Sequence, residues 1–338
     1  MSAAGCQLSA ASGRDMLPNA DCNVNSNIST EKYAFNEKGI SVIICSIEPE
    51  LSNQILESIE KTIGICYETL VFDNREKGWG ICQVYNHCAK KAKFQYLCFI
   101  HEYIIITTQN WGKDMVEFAD KTQNCGVIGF AGGTIVLKNF LLWGDGYPNN
   151  GRYRYYDAAN GPGRVHSINE LSLKYYNPEN KNFAEVITLD GLFLFVRKEI
   201  WINNPFDEDR IKGFHFYDAD FSFGAAQKYQ NYVCMTADIY HFSGGTANKS
   251  FYENAMIFQK KWKTELSVIA GNQKNYFISE IAHSFSLCYN LIRHGYTIKE
   301  CIKHTIEING YIFFLLLLGF TLMEGIRKTI KYLALRIR

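Results

Sequence analysis

Six short strand-like runs, each delivering acidic or histidine side chains at its end, constrain this chain more than any other feature. In order they are ISVIICS (residues 40–46), LVFDN (70–74), YLCFIHEY (96–103), LDGLFLFVRK (189–198), FHFYDADFSF (214–223) and YHFSGG (240–245). In an open α/β sheet, ligands sit at the carboxyl ends of the strands. The order therefore reads as one site assembled from distant segments.

The intervening sequence supports such a sheet. Residues 41–46 form a continuous β-branched run, the pattern of a buried parallel strand. Over 53–62, Ile55 and Ile59 recur on one helical face and Ile63 continues it. A strand over 68–72, a helix over 80–92 and a strand over 94–100 follow, the spacing of βαβ units. Another strand is expected over 124–130. The stretch 142–182 is rich in Gly, Asn, Tyr and Pro and reads as a long substrate loop. Strand returns over 185–196, interrupted by Asp190-Gly191. A helix over 221–229, a strand over 232–240 and a mainly helical remainder from Phe251 complete the expectation.

Composition excludes several classes. The net charge of +1 over 338 residues gives no general pull toward nucleic acid, and no nucleic-acid-binding signature is present. None of the 11 cysteines forms a CxxC pair. That usage suits a reduced, cytoplasmic compartment with buried thiols such as Cys45 and Cys98. The first residues lack the basic and apolar regions of a signal peptide. Residues 1–38, rich in Ser, Ala, Asn and Gly, are expected to be disordered or loosely packed.

The end of the chain differs. Residues 308–323 are 16 consecutive uncharged positions, roughly 24 Å of helix against a ~30 Å hydrocarbon core. Arg327, Lys328, Lys331, Arg336 and Arg338 follow, interleaved with Ile326, Ile330, Leu333 and Ile337. A basic amphipathic helix after an apolar run suits peripheral contact with an anionic membrane. A core helix with a solvated basic tail is the plainer reading.

The motifs, in this order from about residue 40 to 262, resemble the GT-A fold of family-2-type glycosyltransferases. The resemblance implies a Rossmann-like, mostly parallel sheet flanked by helices over 39–265, with a helical C-terminal extension over 266–338. It implies an inverting enzyme of polysaccharide biosynthesis. That enzyme would move a sugar from a nucleoside-diphosphate sugar to a glycan or lipid-linked acceptor at the inner face of the cytoplasmic membrane.

Residue by residue, Asp73 is placed to accept hydrogen bonds from a base edge or ribose, or to make an Asx turn. The main chain from Ser46 through Ile47 to Glu48 is the other expected nucleotide contact. His101-Glu102-Tyr103 stands where the family carries its metal motif, so His101, Glu102 and His241 are the expected ligands of Mn²⁺ or Mg²⁺. Read alone, His101 and Glu102 are a polar strand end. The third position, usually aspartate, is Tyr103, a neutral phenol with little to offer a hard cation. Asp190 and Gly191 resemble the lining of the donor and acceptor pocket; a bland turn is their rival. Asp218, in YDADF, matches the family's catalytic base, as an acceptor hydroxyl requires. Asp220 falls to the same pocket or to a cap of the helix expected from Phe221.

Two rivals deserve weight. A sugar-nucleotide pyrophosphorylase wants a basic Gly-rich loop after the first strand, where this chain has Ile47-Glu48-Pro49-Glu50. A non-catalytic nucleotide-sugar-binding or scaffold protein descended from the enzyme is supported by Tyr103 and opposed by Asp218.

Overall fold

The computed structural model describes residues 38–139, 151–158, 171–242, 247–266, 268–269, 277–310, 314–315 and 318–319. The elements begin β1 (Ile40–Ser46), α1 (Pro49–Thr62), β2 (Tyr67–Asp73), α2 (Ile81–Lys91), β3 (Tyr96–His101), β4 (Ile104–Ile106) and α3 (Trp111–Lys121). Next come β5 (Cys125–Gly129), β6 (Ala131–Gly133), β7 (Ile135–Val136), β8 (Gly151–Ala158), β9 (Leu171–Tyr176), β10 (Phe183–Val186) and β11 (Thr188–Leu189). They continue with β12 (Phe193–Arg197), α4 (Lys198–Asn203), α5 (Tyr217–Ala226), β13 (Gln230–Cys234) and β14 (Ile239–His241). The last are α6 (Lys249–Lys261), β15 (Val268–Ile269), α7 (Phe277–Arg293) and α8 (Ile298–Asn309).

Seven strands form the central sheet in the order β10-β13-β5-β12-β3-β1-β2. β1, β2, β3, β5 and β13 point one way; β12 and β10 oppose them. The mostly parallel α/β fold expected from the sequence is present. Successive side chains of a strand leave on opposite faces, and each face has its own core. Ile43, Leu97 and Phe99 pack with α2, α5 and α6. Ile40, Val42, Ile44, Tyr96 and Ile100 pack with α1 and α3. That double burial is why β1 and β3 read as unbroken apolar runs.

A second sheet, β11-β6-β8-β14-β4 with β9 on β8, stands beside the first. It corrects one expectation. Within the stretch read as a loop, β8 and β9 pair antiparallel from Tyr153↔Tyr176 to Ala158↔Leu171. Segments 140–150 and 159–170 of that stretch lie outside the described residues, as do 1–37, 243–246 and 320–338.

Candidate active site

Three strand ends meet at one edge of the central sheet. The register pairs Ser46 with Asp73 and Cys45 with His101. β12 arrives there from the opposite direction, and the His101 N–H donates to the Leu192 carbonyl at 3.1 Å. Asp190 and Gly191 are thereby held at the end of β3. From the second sheet, β14 pairs with β4, and the Phe242 N–H donates to the Tyr103 carbonyl at 3.0 Å. The rings of His101, Tyr103 and His241 form a triangle: centroids are 4.9 Å apart for His101–Tyr103, 5.5 Å for Tyr103–His241 and 6.4 Å for His101–His241.

Helix α5 closes the site. It begins at Tyr217, before the Phe221 start expected, because the Asp220 N–H already bonds the Phe216 carbonyl at 2.9 Å. The YDAD motif is therefore the first turn of a helix. The Gly191 N–H donates to Asp218 Oδ2 at 2.8 Å, and Tyr217 Oη donates to the Gly191 carbonyl at 2.9 Å. A Cβ at Gly191 would lie 2.0 Å from Tyr217 Oη, so this approach needs glycine. Burial and then the neighbouring Asp190 carboxylate raise the Asp218 carboxyl to about 7. Both effects disfavour its charged form, and a base poised there is matched to proton transfer near neutral pH.

His101 is neutral. Burial, followed by His241, lowers its ring to about 3. Its Nε2 lies 2.6 Å from Tyr217 Oη, while Nδ1 is buried without a hydrogen-bond partner. Leaving a buried ring nitrogen without a partner is costly.

Glu102 has a different task from the metal ligation expected. It is 3% exposed. Oε2 accepts from the Glu48 N–H at 3.1 Å and Ser52 Oγ at 3.1 Å, and both oxygens lie 3.2 Å from the Ile47 nitrogen. The carboxylate thus holds the turn leading into α1, where anionic charge is favoured. The same bonds commit the amides of Ile47 and Glu48, expected as nucleotide contacts. Ser46 is buried, its hydroxyl 2.6 Å from Ser52 Oγ.

Asp220 neither caps α5 nor stands free in the pocket. It is buried and accepts from Lys261 Nζ at 2.8 Å and Trp262 Nε1 at 2.8 Å, which fastens α5 to α6. Asp73, exposed at the end of β2, makes the Asx turn with the Arg75 N–H at 3.1 Å and also pairs with the Arg75 guanidinium. That pairing holds its carboxyl below the usual range.

Among the described residues, no group of three or more His, Cys, Asp or Glu is arranged to hold a metal ion. The nitrogen donors His101, through its unpartnered Nδ1, and His241 stand where the sequence placed the metal. Mn²⁺ and Mg²⁺ both prefer oxygen ligands, and imidazole is the better donor for softer cations. Two imidazoles whose ring centroids are 6.4 Å apart, without a carboxylate beside them among the described residues, do not make up the ligand set expected from the sequence.

The profile of a glycosyltransferase-like family matches residues 41–262. The chain belongs to that family; in class it is a glycosyltransferase. Among solved structures it resembles TarS 1–349 of S. aureus at 15% identity, TM-score 0.46, covering 81% of each chain. It resembles GalNAc-T7, solved with UDP, GalNAc and Mn²⁺, at 13% identity and TM-score 0.47, over 80% of this chain and 55% of that one. A third likeness is the mannosyltransferase PcManGT of Pyrobaculum calidifontis, solved with GDP-Man and Mn²⁺. Identity there is 10% and TM-score 0.42, over 84% of this chain and 79% of that one. No curated protein sequence matches significantly.

Proposed function

We propose that this protein is an inverting glycosyltransferase that uses Asp218 as its base. The acceptor hydroxyl gives its proton to Asp218. Its oxygen attacks the anomeric carbon of a nucleoside-diphosphate sugar, and the bond from that carbon to the diphosphate oxygen breaks. The nucleoside diphosphate leaves with the bonding electrons. The observation that carries this reading is the Asp218 carboxylate, fixed by the Gly191 N–H and raised to about 7 beside Asp190. A single acceptor-side base favours one displacement, hence inversion. Asp190 would orient sugar hydroxyls, and Gly191 lets the ligand approach the backbone.

His101 and His241 would hold a divalent cation, which supplies charge to offset that on the leaving diphosphate. GalNAc-T7 was solved with UDP, GalNAc and Mn²⁺, and PcManGT with GDP-Man and Mn²⁺; such a cation and donor are proposed here. The apolar and basic sequence from Ile308 to the last residue supports a peripheral contact with the cytoplasmic membrane face. A glycan or lipid-linked acceptor fits that placement.

Asp218→Asn tests the assignment. Transfer should fall by at least ~10²-fold while donor affinity holds, because the base acts in the transition state. Near-normal turnover in the variant rejects Asp218 as the base. Donor binding with no turnover in the wild type would favour the scaffold reading that Tyr103 supports.

A further inference from the structure

Helix α7 carries a face that glycosyl transfer does not use. Its inner side, through Ile281, Ser284, Leu287 and Leu291, is buried. On its outer side Phe285 is 50% exposed, Tyr289 54% and Ile292 46%. Spacings of four and three residues align these on one stripe. Ile298, in the first turn of α8, adds a side chain 66% exposed.

On α7 itself the exposed formal charge is of one sign. The only acidic residue of α7, Glu280, is buried and accepts from the Lys138 and Asn139 N–H groups. Arg293 is exposed, its guanidinium 5.7 Å from the Tyr289 ring centroid, and Lys299 is exposed beyond it. Helices α1 and α3 differ: α1 shows the pair Glu57–Lys61, and α3 shows Lys113 and Lys121 around Glu117. Those are solvated faces of mixed charge.

We propose that the outer face of α7, with Ile298, docks the protein on an anionic lipid bilayer. This rests on the membrane contact proposed above and extends it from the tail to a folded helix. An apolar stripe on α7 whose exposed formal charge is Arg293 is complementary to acyl chains beneath anionic headgroups; Glu300, beside Lys299 on α8, is held by the Thr297 cap. A tyrosine beside an arginine suits the headgroup level. The chain beyond α8 carries the same chemistry in sequence: an uncharged run to Met323, then Arg327, Lys328, Lys331, Arg336 and Arg338. Among the described residues, no helix is long and apolar enough to cross a membrane, and an in-plane contact needs none.

The face is tied to the site. His304 Nε2 of α8 lies 2.6 Å from Gln259 Oε1 of α6, and Tyr296 Oη donates to Glu253 of α6 at 3.1 Å. α6 in turn holds Asp220 of α5 through Lys261. Docking through α7 therefore sets the orientation of the helix that carries Asp218 relative to the bilayer, as a lipid-linked acceptor requires.

The test uses the full chain and sedimentation with phosphatidylcholine vesicles, with and without phosphatidylglycerol. The triple variant Phe285→Ser, Tyr289→Ser, Ile292→Ser should lose at least ~10-fold in partitioning onto anionic vesicles, given the apolar area removed. Its melting temperature and UDP affinity should be unchanged. Tyr289→Trp should show a blue-shifted emission on anionic vesicles. Unaltered partitioning of the triple variant, or no emission shift, overturns the proposal and leaves the tail as sole anchor. A dimer lost in the triple variant with vesicle binding intact overturns it in favour of self-association. UDP affinity, read on the same samples, fails separately if the donor reading is wrong.

Discussion

Tyr217 Oη stands 2.6 Å from His101 Nε2 and 2.9 Å from the Gly191 carbonyl. A phenol has one proton. Given to the carbonyl, it leaves the hydroxyl oxygen as acceptor, so His101 must donate from Nε2. The ring is then the Nε2–H tautomer, and its lone pair sits on the buried, unpartnered Nδ1. One hydroxyl, 116 residues away in sequence, decides what the end of β3 offers a ligand. Tyr217→Phe should leave two buried groups without partners and cost about 1–3 kcal/mol. Nitrogen-15 NMR should show a single Nε2–H tautomer in the wild type and a mixture in the variant. A wild-type ring protonated at Nδ1 would reverse the assignment.

Gly191 tests the packing of the same cluster. Beyond the clash with Tyr217 Oη, a Cβ there would meet Tyr217 Cζ at 2.5 Å and Asp218 Cβ at 3.0 Å. Tyr217 is buried and cannot swing clear. Gly191→Ala should lower stability by ~1–3 kcal/mol and should cut turnover more than donor affinity, since Asp218 is displaced with Tyr217. Urea unfolding with steady-state kinetics checks both. A variant with wild-type kcat would mean that residues 191 and 218 do not act together.

Asp218 gives a pH dependence of definite sign. Its carboxyl is raised from 3.8 to about 7 in the folded chain, so the folded state binds more protons than the unfolded state between those values. Its contribution to stability therefore declines as pH rises through that window. Transfer, which needs the carboxylate, should rise through about pH 7 and level off above it. Asp218→Asn removes the buried charge and should stabilise the protein above pH 7 by ~1–2 kcal/mol, after allowance for partial exposure. Below pH 4 the gain should vanish. Thermal melts of both proteins across pH 4–9 read this directly; an equal difference at every pH would show that Asp218 does not titrate in this window.

What could be read from the sequence follows the reach of the interactions. β1, β2, β3 and α2 were legible because each declares itself by local period. So were the residues at the strand ends, since topology sends them to one edge. α1 starts at Pro49, four residues before the apolar period that marks it begins, and proline is preformed for a first turn. β8 and β9 were hidden by tyrosine, glycine and asparagine, residues shared with loops. The roles of Glu102 and Asp220 were not legible. Their partners lie 50 and more residues away for Glu102 and 41–42 for Asp220. A carboxylate that folds a turn and one that binds a metal look the same in a motif.

Tyr103 is the departure with the sharpest consequence. With Glu102 engaged by the turn before α1, the strand end offers rings rather than carboxylates: Tyr103 lies 4.9 Å from His101 and 5.5 Å from His241, centroid to centroid. Tyr103→Asp would place a carboxylate within that triangle. A new negative charge beside a diphosphate is favourable only with a cation between them. The variant should therefore bind UDP more tightly than the wild type in Mn²⁺ and more weakly in EDTA, by about tenfold each way for ~1.4 kcal/mol of electrostatic change. Calorimetric titration of both proteins under both conditions decides the matter. Equal affinities in all four titrations would mean that residue 103 does not face the diphosphate and that the cation site is elsewhere.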